Sequence, residues 1–210
     1  MATRIHETAI VEDRVALGDG TAIWDNAHIR TGTTIGRDCI VGGKTYVGQD
    51  VVIGDFVKLN AFVYICTGVT IERGVMVSAH ATFTNDLYPR ATTPELDILR
   101  PSEPDERTLE TTVREGATIG AAATIGPGIE LGRFSMVGMG SVVTRTVGDF
   151  NLVIGNPARV VGYVCRCGDP IDLPIDRTDS APTTCDQCGR RFMKQQGRVG
   201  ELESSTGRLS

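Results

Sequence analysis

The sequence has few aromatic residues, no excess of basic residues and no long apolar run. Aromatic residues occupy 5% of the 210 positions, and there is a single tryptophan. Acidic residues outnumber basic ones, 26 to 21, and the net charge of −5 argues against a nucleic-acid-binding protein, which would present a basic surface. No apolar stretch is long enough to cross a membrane, and residues 1–10 contain no apolar segment of a secretory leader. We therefore expect a cytoplasmic protein without a membrane or nucleic-acid partner.

A period of six residues dominates the rest of the sequence. An apolar residue, aliphatic except at Phe83, recurs at every sixth position from Ile5 to Phe83 and again from Val113 to Val143. A small or β-branched residue lies four positions after each of these aliphatic residues. This period matches neither an α-helix nor a coiled coil, and it is typical of a parallel β-helix. The sequence predicts an all-β prism with eighteen residues in each triangular coil, too narrow inside for many aromatic rings.

Breaks in the period divide the chain into segments. The six-residue period is interrupted at residues 84–112, a segment of 29 residues that holds four of the nine prolines. Irregular segments of this length are commonly functional, and a tolerated surface insertion is the alternative. Pro157 after Asn156 reads as the start of a helix. The predicted segments are N-terminal coils (1–83), an extruded loop (84–112), C-terminal coils (113–148), a helical cap (149–164), a cysteine module (165–193) and a flexible tail (194–210).

Residues eighteen positions apart stack in neighbouring coils, which brings polar and aromatic side chains together on one face. Such a concentration predicts a ligand site or a subunit interface. His80 is the acid–base candidate on this face. The three histidines do not share the eighteen-residue spacing, so a histidine metal site is not expected. The stacked columns are Trp24, Gly42, Asn60 and Ser78; Asn26, Lys44, Phe62 and His80; and His28, Tyr46, Tyr64 and Thr82.

Four of the six cysteines form two closely spaced pairs, each followed by glycine. They are Cys165 with Cys167, and Cys185 with Cys188. Paired thiolates of this kind resemble the two knuckles of a zinc ribbon, although the first pair is one residue shorter than usual. The spacing predicts a structural zinc site, and free thiols are the alternative. Metal ligation also fits a reducing compartment better than a disulfide framework.

Several segments together carry a family resemblance over roughly residues 5–168. On these segments the chain resembles left-handed β-helix hexapeptide acyltransferases that acetylate the amino group of UDP- or dTDP-linked 3-amino sugars. The resemblance implies the left-handed coil, a homotrimer, acetyl-CoA as co-substrate and a nucleotide-linked amino sugar as acceptor. The segments are IWDNAHI (23–29), the coil of Lys58, FTNDLYPR (83–90), TTVREGATIGAAATIG (111–126), GSVVT (140–144) and GNPAR (155–159).

The same resemblance implies roles for individual residues. Asn85 would hold the amine nucleophile, and Asp86 beside it favours a dTDP-3-amino-3,6-dideoxyhexose over a UDP-3-amino sugar uronate. Asp86 or His80 would take the proton, and a backbone N–H within residues 120–123 would stabilise the oxyanion. The remaining expected contacts are His28, Lys58, Asn60, Tyr64 and Arg90 for the substrate, and Ala121, Ala122, Met139, Asn156, Pro157 and Arg159 for coenzyme A.

Two other functions stay open on the sequence. One is an O-acyltransferase of the serine or maltose type, which would need a clear histidine base. The other is a non-catalytic β-helix that serves as an assembly subunit.

Overall fold

The computed structural model describes residues 2–202, which form strands and no helix. No segment of this range is therefore a helix able to span a membrane. Twenty short strands build the prism. They are β1 (Arg4–Ile5), β2 (Ile10–Val11), β3 (Ala16–Leu17), β4 (Ala22–Ile23), β5 (His28–Ile29), β6 (Thr34–Ile35), β7 (Ile40–Val41), β8 (Tyr46–Val47), β9 (Val52–Ile53), β10 (Lys58–Leu59), β11 (Tyr64–Ile65), β12 (Val69–Ile71), β13 (Met76–Val77), β14 (Thr82–Phe83), β15 (Thr111–Val113), β16 (Thr118–Ile119), β17 (Thr124–Ile125), β18 (Glu130–Leu131), β19 (Met136–Val137) and β20 (Val142–Val143).

Every third strand belongs to the same parallel sheet, so the prism has three sheets. Sheet A contains β1, β4, β7, β10, β13, β16 and β19; sheet B contains β2, β5, β8, β11, β14, β17 and β20; sheet C contains β3, β6, β9, β12, β15 and β18. Lys58 pairs with Ile40 on one side and Met76 on the other, eighteen positions away in each direction. The predicted coil length is confirmed, and the stacked parallel coils are consistent with a left-handed β-helix. The turns between sheets are called the AB, BC and CA corners.

The prism interior is filled by the apolar residues of the six-residue period. Phe83 is the one large ring among the fully buried residues of the described prism. The small or β-branched residue four positions after each aliphatic residue of the period lies at a corner of the prism. Buried threonines at this position form hydrogen bonds to the next coil. Thr33 Oγ1 donates to the Gly48 carbonyl at 2.7 Å, and Thr45 Oγ1 donates to that of Asn60 at 2.9 Å. A bulky side chain at these positions would displace such bonds.

The loop leaves and re-enters the prism at the BC corner. Thr111 already pairs with Val69, 42 positions away instead of 18, so the loop is an excess of 24 residues in one coil. Strand β15 thus begins two residues before the predicted boundary, and the loop comprises residues 84–110. Two isolated bridges hold it together, Asp86 with Thr108 and Thr92 with Leu99. Because both ends meet at one corner, the register of the coils continues undisturbed.

The helical cap predicted for residues 149–164 is wrong. These residues form an antiparallel hairpin of β21 (Asn151–Gly155) and β22 (Ala158–Val164), and β21 continues sheet A beside β19. Asn156 and Pro157 occupy its turn, a position that both residue types favour as readily as a helix start. The β-branched and aromatic residues that follow favour a strand, and they decide the outcome.

The cysteine module continues past its predicted end. Its strands are β23 (Pro170–Ile171), β24 (Thr183–Thr184), β25 (Arg191–Gln195) and β26 (Arg198–Glu201). The flexible tail predicted from residue 194 is therefore wrong as far as Leu202, because Gln196 and Gly197 turn the chain and Val199 is buried against a second core. The rest of that tail, 203–210, lies outside the described residues. This second core contains Phe150, Tyr163, Cys165, Ile171, Leu173, Cys185, Phe192 and Val199.

Charged side chains alternate in sign up the CA corner. Arg37 Nε lies 3.1 Å from Asp55 Oδ2 one coil above. Two coils further, Arg73 and Arg133 approach Glu115 from either side, with N···O distances of 3.6 and 3.3 Å. We call this column of side chains the charge ladder. Its members are Arg37, Asp55, Arg73, Glu115 and Arg133.

Candidate functional site

An open cleft of about 1290 Å³ lies at the BC corner, between the prism and the loop. The loop wall is made by residues 85–90 and 100–109. The cleft therefore combines a rigid wall with a long irregular one, as in many ligand sites. The prism wall consists of Arg30, Tyr46, Gly48, Gln49, Tyr64, Cys66 and Thr67.

Asn85 stands at the edge of this cleft in a fixed orientation. Its side-chain Nδ2 donates to the Thr67 carbonyl at 3.1 Å, and its backbone carbonyl accepts the N–H of Leu109 at 2.9 Å. The amide nitrogen is thereby used for anchoring. The side-chain oxygen Oδ1 accepts no hydrogen bond from any described residue, so it is available to a donor in the cleft.

Three more predicted residues share the cleft with Asn85. They are Asp86, Tyr64 and Arg90. The Tyr64 ring stacks on Tyr46 from the coil below, with centroids 5.3 Å apart and an interplanar angle of 8°. Burial raises the pKa of the Tyr64 hydroxyl, and burial raises the pKa of the neighbouring Cys66 thiol to about 11. Both groups are therefore neutral at physiological pH and serve as hydrogen-bonding or apolar surface.

Four predicted residues lie outside the cleft of this chain. His80 occupies the AB corner, where its ring stacks on Phe62 with centroids 4.8 Å apart. Asn60 lies on the same corner one coil below, and Lys58 projects from strand β10 of sheet A. His28 Nε2 lies 2.8 Å from Glu12 Oε1. Their proposed contacts with substrate stay predictions.

The residues expected to contact coenzyme A gather at the AB corner. The Ala122 N–H donates to the Ala79 carbonyl at 2.9 Å, which places Ala121 and Ala122 in the coil above His80. Met139 follows one coil further and is 80% exposed. The Gly155 N–H donates to Ser141 Oγ at 3.1 Å and brings the hairpin turn at Asn156 and Pro157 to the same corner. Arg159 follows on β22 and is exposed, with Nη1 donating to the Ala158 carbonyl.

The predicted site is thus divided between the two edges of sheet B. Asn85 and the cleft lie on the BC corner, which we call the cleft edge. His80, Ala121 and the hairpin turn lie on the AB corner, which we call the hairpin edge. Strand β14, Thr82–Phe83, separates the two edges in the coil that carries both His80 and Asn85.

The four clustered cysteines converge as predicted. Their Sγ atoms all lie within 4.8 Å of one another. Each knuckle turns on a glycine of positive φ, Gly168 after the first pair and Gly189 after the second. The chemistry of the donor set fits Zn²⁺, because four thiolates at about 2.3 Å from one ion are separated from each other by such distances.

Comparison with known proteins identifies the repeat. Residues 14–49 and 50–85 match the bacterial transferase hexapeptide family (six repeats), and residues 111–145 match the hexapeptide repeat of succinyl-transferase. These three segments of the prism thus carry hexapeptide repeats of bacterial transferases.

Relatives of the hexapeptide prism include acetyltransferases. The dTDP-3-amino-3,6-dideoxy-α-D-galactopyranose 3-N-acetyltransferase of Aneurinibacillus thermoaerophilus is 45% identical over 92 residues, which cover 44% of this chain and 45% of that protein. The serine acetyltransferase of Escherichia coli K12 is 48% identical over 50 residues, 24% of this chain and 18% of that protein. The chain thus spans less than half the length of either relative.

Among solved structures, PerB from Caulobacter crescentus, in complex with CoA and GDP-perosamine, has a TM-score of 0.41 and 25% identity. The match covers 77% of this chain and 58% of PerB.

Some residues of the cleft were missed at the sequence level. Arg30 and Gln49 lie in the BC corner of the hexapeptide prism. The last of the stacked columns considered in the sequence contains His28, Tyr46, Tyr64 and Thr82, which precede this corner. A signal was nevertheless available. The eighteen-residue column Thr31, Gln49, Thr67 ends at Asn85, so extending the columns by three positions reaches the prism wall of the cleft.

Proposed function

We propose that this chain is an acetyl-CoA-dependent N-acetyltransferase acting on the amino group of a nucleotide-linked 3-amino sugar. A dTDP-3-amino-3,6-dideoxyhexose is favoured over a UDP-3-amino sugar uronate. The observation that carries the proposal is the orientation of Asn85, whose anchored nitrogen leaves Oδ1 as an acceptor for an amine N–H. The similarity to a dTDP-3-amino sugar N-acetyltransferase supports the same chemistry.

The reaction needs orientation more than strong acid–base chemistry. A neutral amine held by Asn85 Oδ1 directs its lone pair at the thioester carbonyl carbon, where the new C–N bond forms. The carbon–sulfur bond then breaks, coenzyme A leaves as the thiol or thiolate, and the amine proton passes to Asp86, to His80 or to water. Within residues 120–123, the N–H of Ala121 is the one that no described residue accepts, so it is our oxyanion donor.

The division of the site supports a homotrimer. Acceptor residues lie on the cleft edge and the residues expected to hold coenzyme A lie on the hairpin edge, so one chain does not unite them. In a cyclic assembly the cleft edge of one subunit meets the hairpin edge of the next. His80 of a neighbouring subunit then approaches Asn85, which gives its predicted role a geometric basis.

Mixed oligomers test this arrangement. Asn85→Ala disables the cleft edge and Ala121→Trp blocks the hairpin edge, and each variant alone should be inactive. Subunits exchanged or co-expressed at equal ratio should recover about one quarter of the parental activity, because about one site in four then joins two intact edges. No recovery in confirmed mixed oligomers would contradict a shared site.

A structural zinc ion in the cysteine module is part of the proposal. Cys165, Cys167, Cys185 and Cys188 would hold it in a closed tetrahedral site remote from the cleft. The ion would supply folding energy to the module and no step of the reaction. A cytoplasmic location also stays a prediction, and thiol ligation is compatible with it.

The activity is tested by assaying purified protein with acetyl-CoA and a panel of acceptors, following release of the free thiol. We expect turnover with dTDP-linked 3-amino-3,6-dideoxyhexoses, less with a UDP-3-amino sugar uronate, and none with serine or maltose. Turnover with serine or maltose alone would establish the O-acyltransferase alternative. No turnover together with no coenzyme A binding in a thermal-shift assay would favour the non-catalytic assembly subunit.

A further inference from the structure

Arg30 contributes a positive charge to the prism wall of the cleft. It follows strand β5 directly, and it is the one charged residue on the prism wall among the described lining residues. Its neighbours there are the hydroxyls of Tyr46, Tyr64 and Thr67 and the amide of Gln49. A ligand group that faces this wall therefore meets a single guanidinium among neutral hydrogen-bonding groups. Such a surface suits an anion with several oxygens.

Glu12 in the coil below and Tyr46 in the coil above both contact the guanidinium. Glu12 Oε1 lies 2.7 Å from Arg30 Nε, while Glu12 Oε2 accepts the N–H of Thr31 at 3.0 Å. Arg30 Nη1 donates to the Tyr46 hydroxyl at 2.8 Å. Nη2 donates to no acceptor among residues 2–202. The two terminal nitrogens form a fork that keeps unused donors on Nη2, and Arg30 lines the cleft.

The position of this fork along the prism relates it to Asn85. The Arg30 guanidinium reaches the level of Tyr46, and Asn85 belongs to the coil two levels above. Coils repeat at about 4.8 Å, so the separation along the axis is about 10 Å. In a nucleotide-linked hexose the sugar ring and the glycosidic oxygen separate a 3-amino group from the diphosphate, which is a spacing of the same order.

We propose that Arg30 binds the diphosphate of the nucleotide-linked amino sugar. The substrate then lies along the prism axis, with its sugar at Asn85 and its diphosphate at Arg30 and the Tyr46 hydroxyl. Glu12 is a positioning residue, because it orients Arg30 and does not line the cleft. His28 contacts Glu12 and supports this arrangement indirectly. The inference rests on the proposed function and assigns a second contact point to its substrate.

Calorimetric titration of the full chain with dTDP, with UDP and with thymidine tests the assignment. Arg30→Gln should weaken nucleoside diphosphate binding by about 10- to 100-fold, because a hydrogen-bonded charge contact is lost, and should leave thymidine binding unchanged. The matched control is Arg37→Gln. Arg37 also pairs with a carboxylate of an adjacent coil, at the CA corner outside the cleft, so this variant should bind both nucleoside diphosphates like the parent.

Two further variants protect the test against misfolding of Arg30→Gln. Tyr46→Phe removes a hydroxyl and should weaken dTDP binding by about 3- to 10-fold. Glu12→Gln should raise KM for the nucleotide sugar and leave kcat unchanged, because it acts only through the orientation of Arg30.

Four outcomes would overturn the inference. Unchanged dTDP and UDP affinity in folded Arg30→Gln is the first, and an equal loss of thymidine affinity is the second. If the parent acetylates a nucleotide-linked amino sugar while Arg30→Gln keeps its KM, the subsite is refuted and the proposed function stands. If the parent neither acetylates such sugars nor binds a nucleoside diphosphate, both fall together.

Discussion

The prism and the cysteine module are stabilised in opposite ways. The prism buries one continuous column of small and aliphatic side chains, with Phe83 as its only large buried ring among the described residues. The module buries Phe192 with Phe150 and Tyr163 of the preceding hairpin segment, around two of its four cysteines. Phe134 of the prism stacks on Phe150 with centroids 5.6 Å apart, and Phe150 in turn contacts Phe192, which joins the two cores.

The prism is stabilised by packing between coils, and the module is expected to need its cysteine ligands. Each coil of the prism packs on its neighbours, so its stability accumulates along the axis and no single contact decides it. The module has too few buried residues for a self-sufficient core, and domains of this size commonly need a metal or disulfides. We therefore expect the module to depend on one ligand set and the prism to depend on many equivalent contacts.

The largest effect should follow removal of zinc. Purified protein should contain close to one zinc per chain, and chelation or Cys185→Ser should abolish hydrogen-exchange protection after Val164, because apparent zinc binding energies in such sites are about 10 kcal/mol or more. Protection of the prism amides and acetyl transfer should persist. Elemental analysis and hydrogen exchange before and after chelation provide the measurements. Metal-free protein with a protected module would show that the aromatic core suffices.

Core truncations should have the next largest effect and should stay local. Leu59→Ala in the prism should lower the free energy of unfolding by about 2–5 kcal/mol, and Phe192→Ala in the module by about 3–5 kcal/mol. Both side chains are almost completely buried. Hydrogen exchange should place the first loss in the adjacent coils and the second in the module alone. Protection lost across both regions in either variant would mean that they unfold as one unit.

Asn85→Ala tests whether the chemistry belongs to the prism and its loop. Turnover should fall by about 100- to 1000-fold, a loss comparable to that of one transition-state hydrogen-bonding group. Coenzyme A affinity should change little, because the cofactor is expected at the hairpin edge. Steady-state kinetics and calorimetry distinguish the two. Gln195→Ala, an exposed amide of the module, is the matched control for amide loss outside the cleft. Near-normal turnover in folded Asn85→Ala would refute the assignment.

The smallest effect should come from the ion pair of Glu12 on the prism surface. The Arg30 guanidinium, with the Thr31 N–H and His28, lowers the pKa of Glu12 from 4.5 to about 2. A lowered folded-state pKa stabilises the fold above the unfolded pKa and loses that contribution as pH falls. Glu12→Gln should therefore lower Tm slightly at pH 7, and the difference should vanish between pH 4.5 and about 2. Glu7→Gln, which removes a carboxylate at an exposed site of the first coil, is the matched control in parallel thermal scans.

The prism could be predicted almost residue by residue because its geometry is periodic. One apolar position in six determines which side chains face inward, so the spacing of Ile5 to Phe83 predicts the coils and their stacking. The hairpin at Asn156 and Pro157 and the strands after Met193 were missed, because both lie outside the repeat. Asn156 and Pro157 suit a helix start as well as a turn, and the β-branched and aromatic residues after them favour the strand. The strand after Gly197 is stabilised by burial of Val199 in the core of Phe192.

The candidate site was predictable in part for the same reason. Asn85, Asp86, Tyr64 and Arg90 converge on the cleft, as the motif and the stacked columns indicate. The spacing separates His80 from Asn85 by strand β14, and it carries no information on how subunits associate, so the expected role of His80 stays a prediction. Arg30 was missed because the columns considered in the sequence ended before the BC corner, where it lies.

The charge ladder at the CA corner restricts how the chain can change length. Loss or gain of one eighteen-residue coil would set Arg beside Arg or Asp beside Glu, and like charges on adjacent strands destabilise a sheet. Loss or gain of two coils would keep the alternation. The 24-residue excess of the loop avoids this restriction entirely, since Arg73 still meets Glu115 across it. The loop at the BC corner thus leaves the charge ladder intact, whereas a change of whole coils keeps its alternation only in pairs.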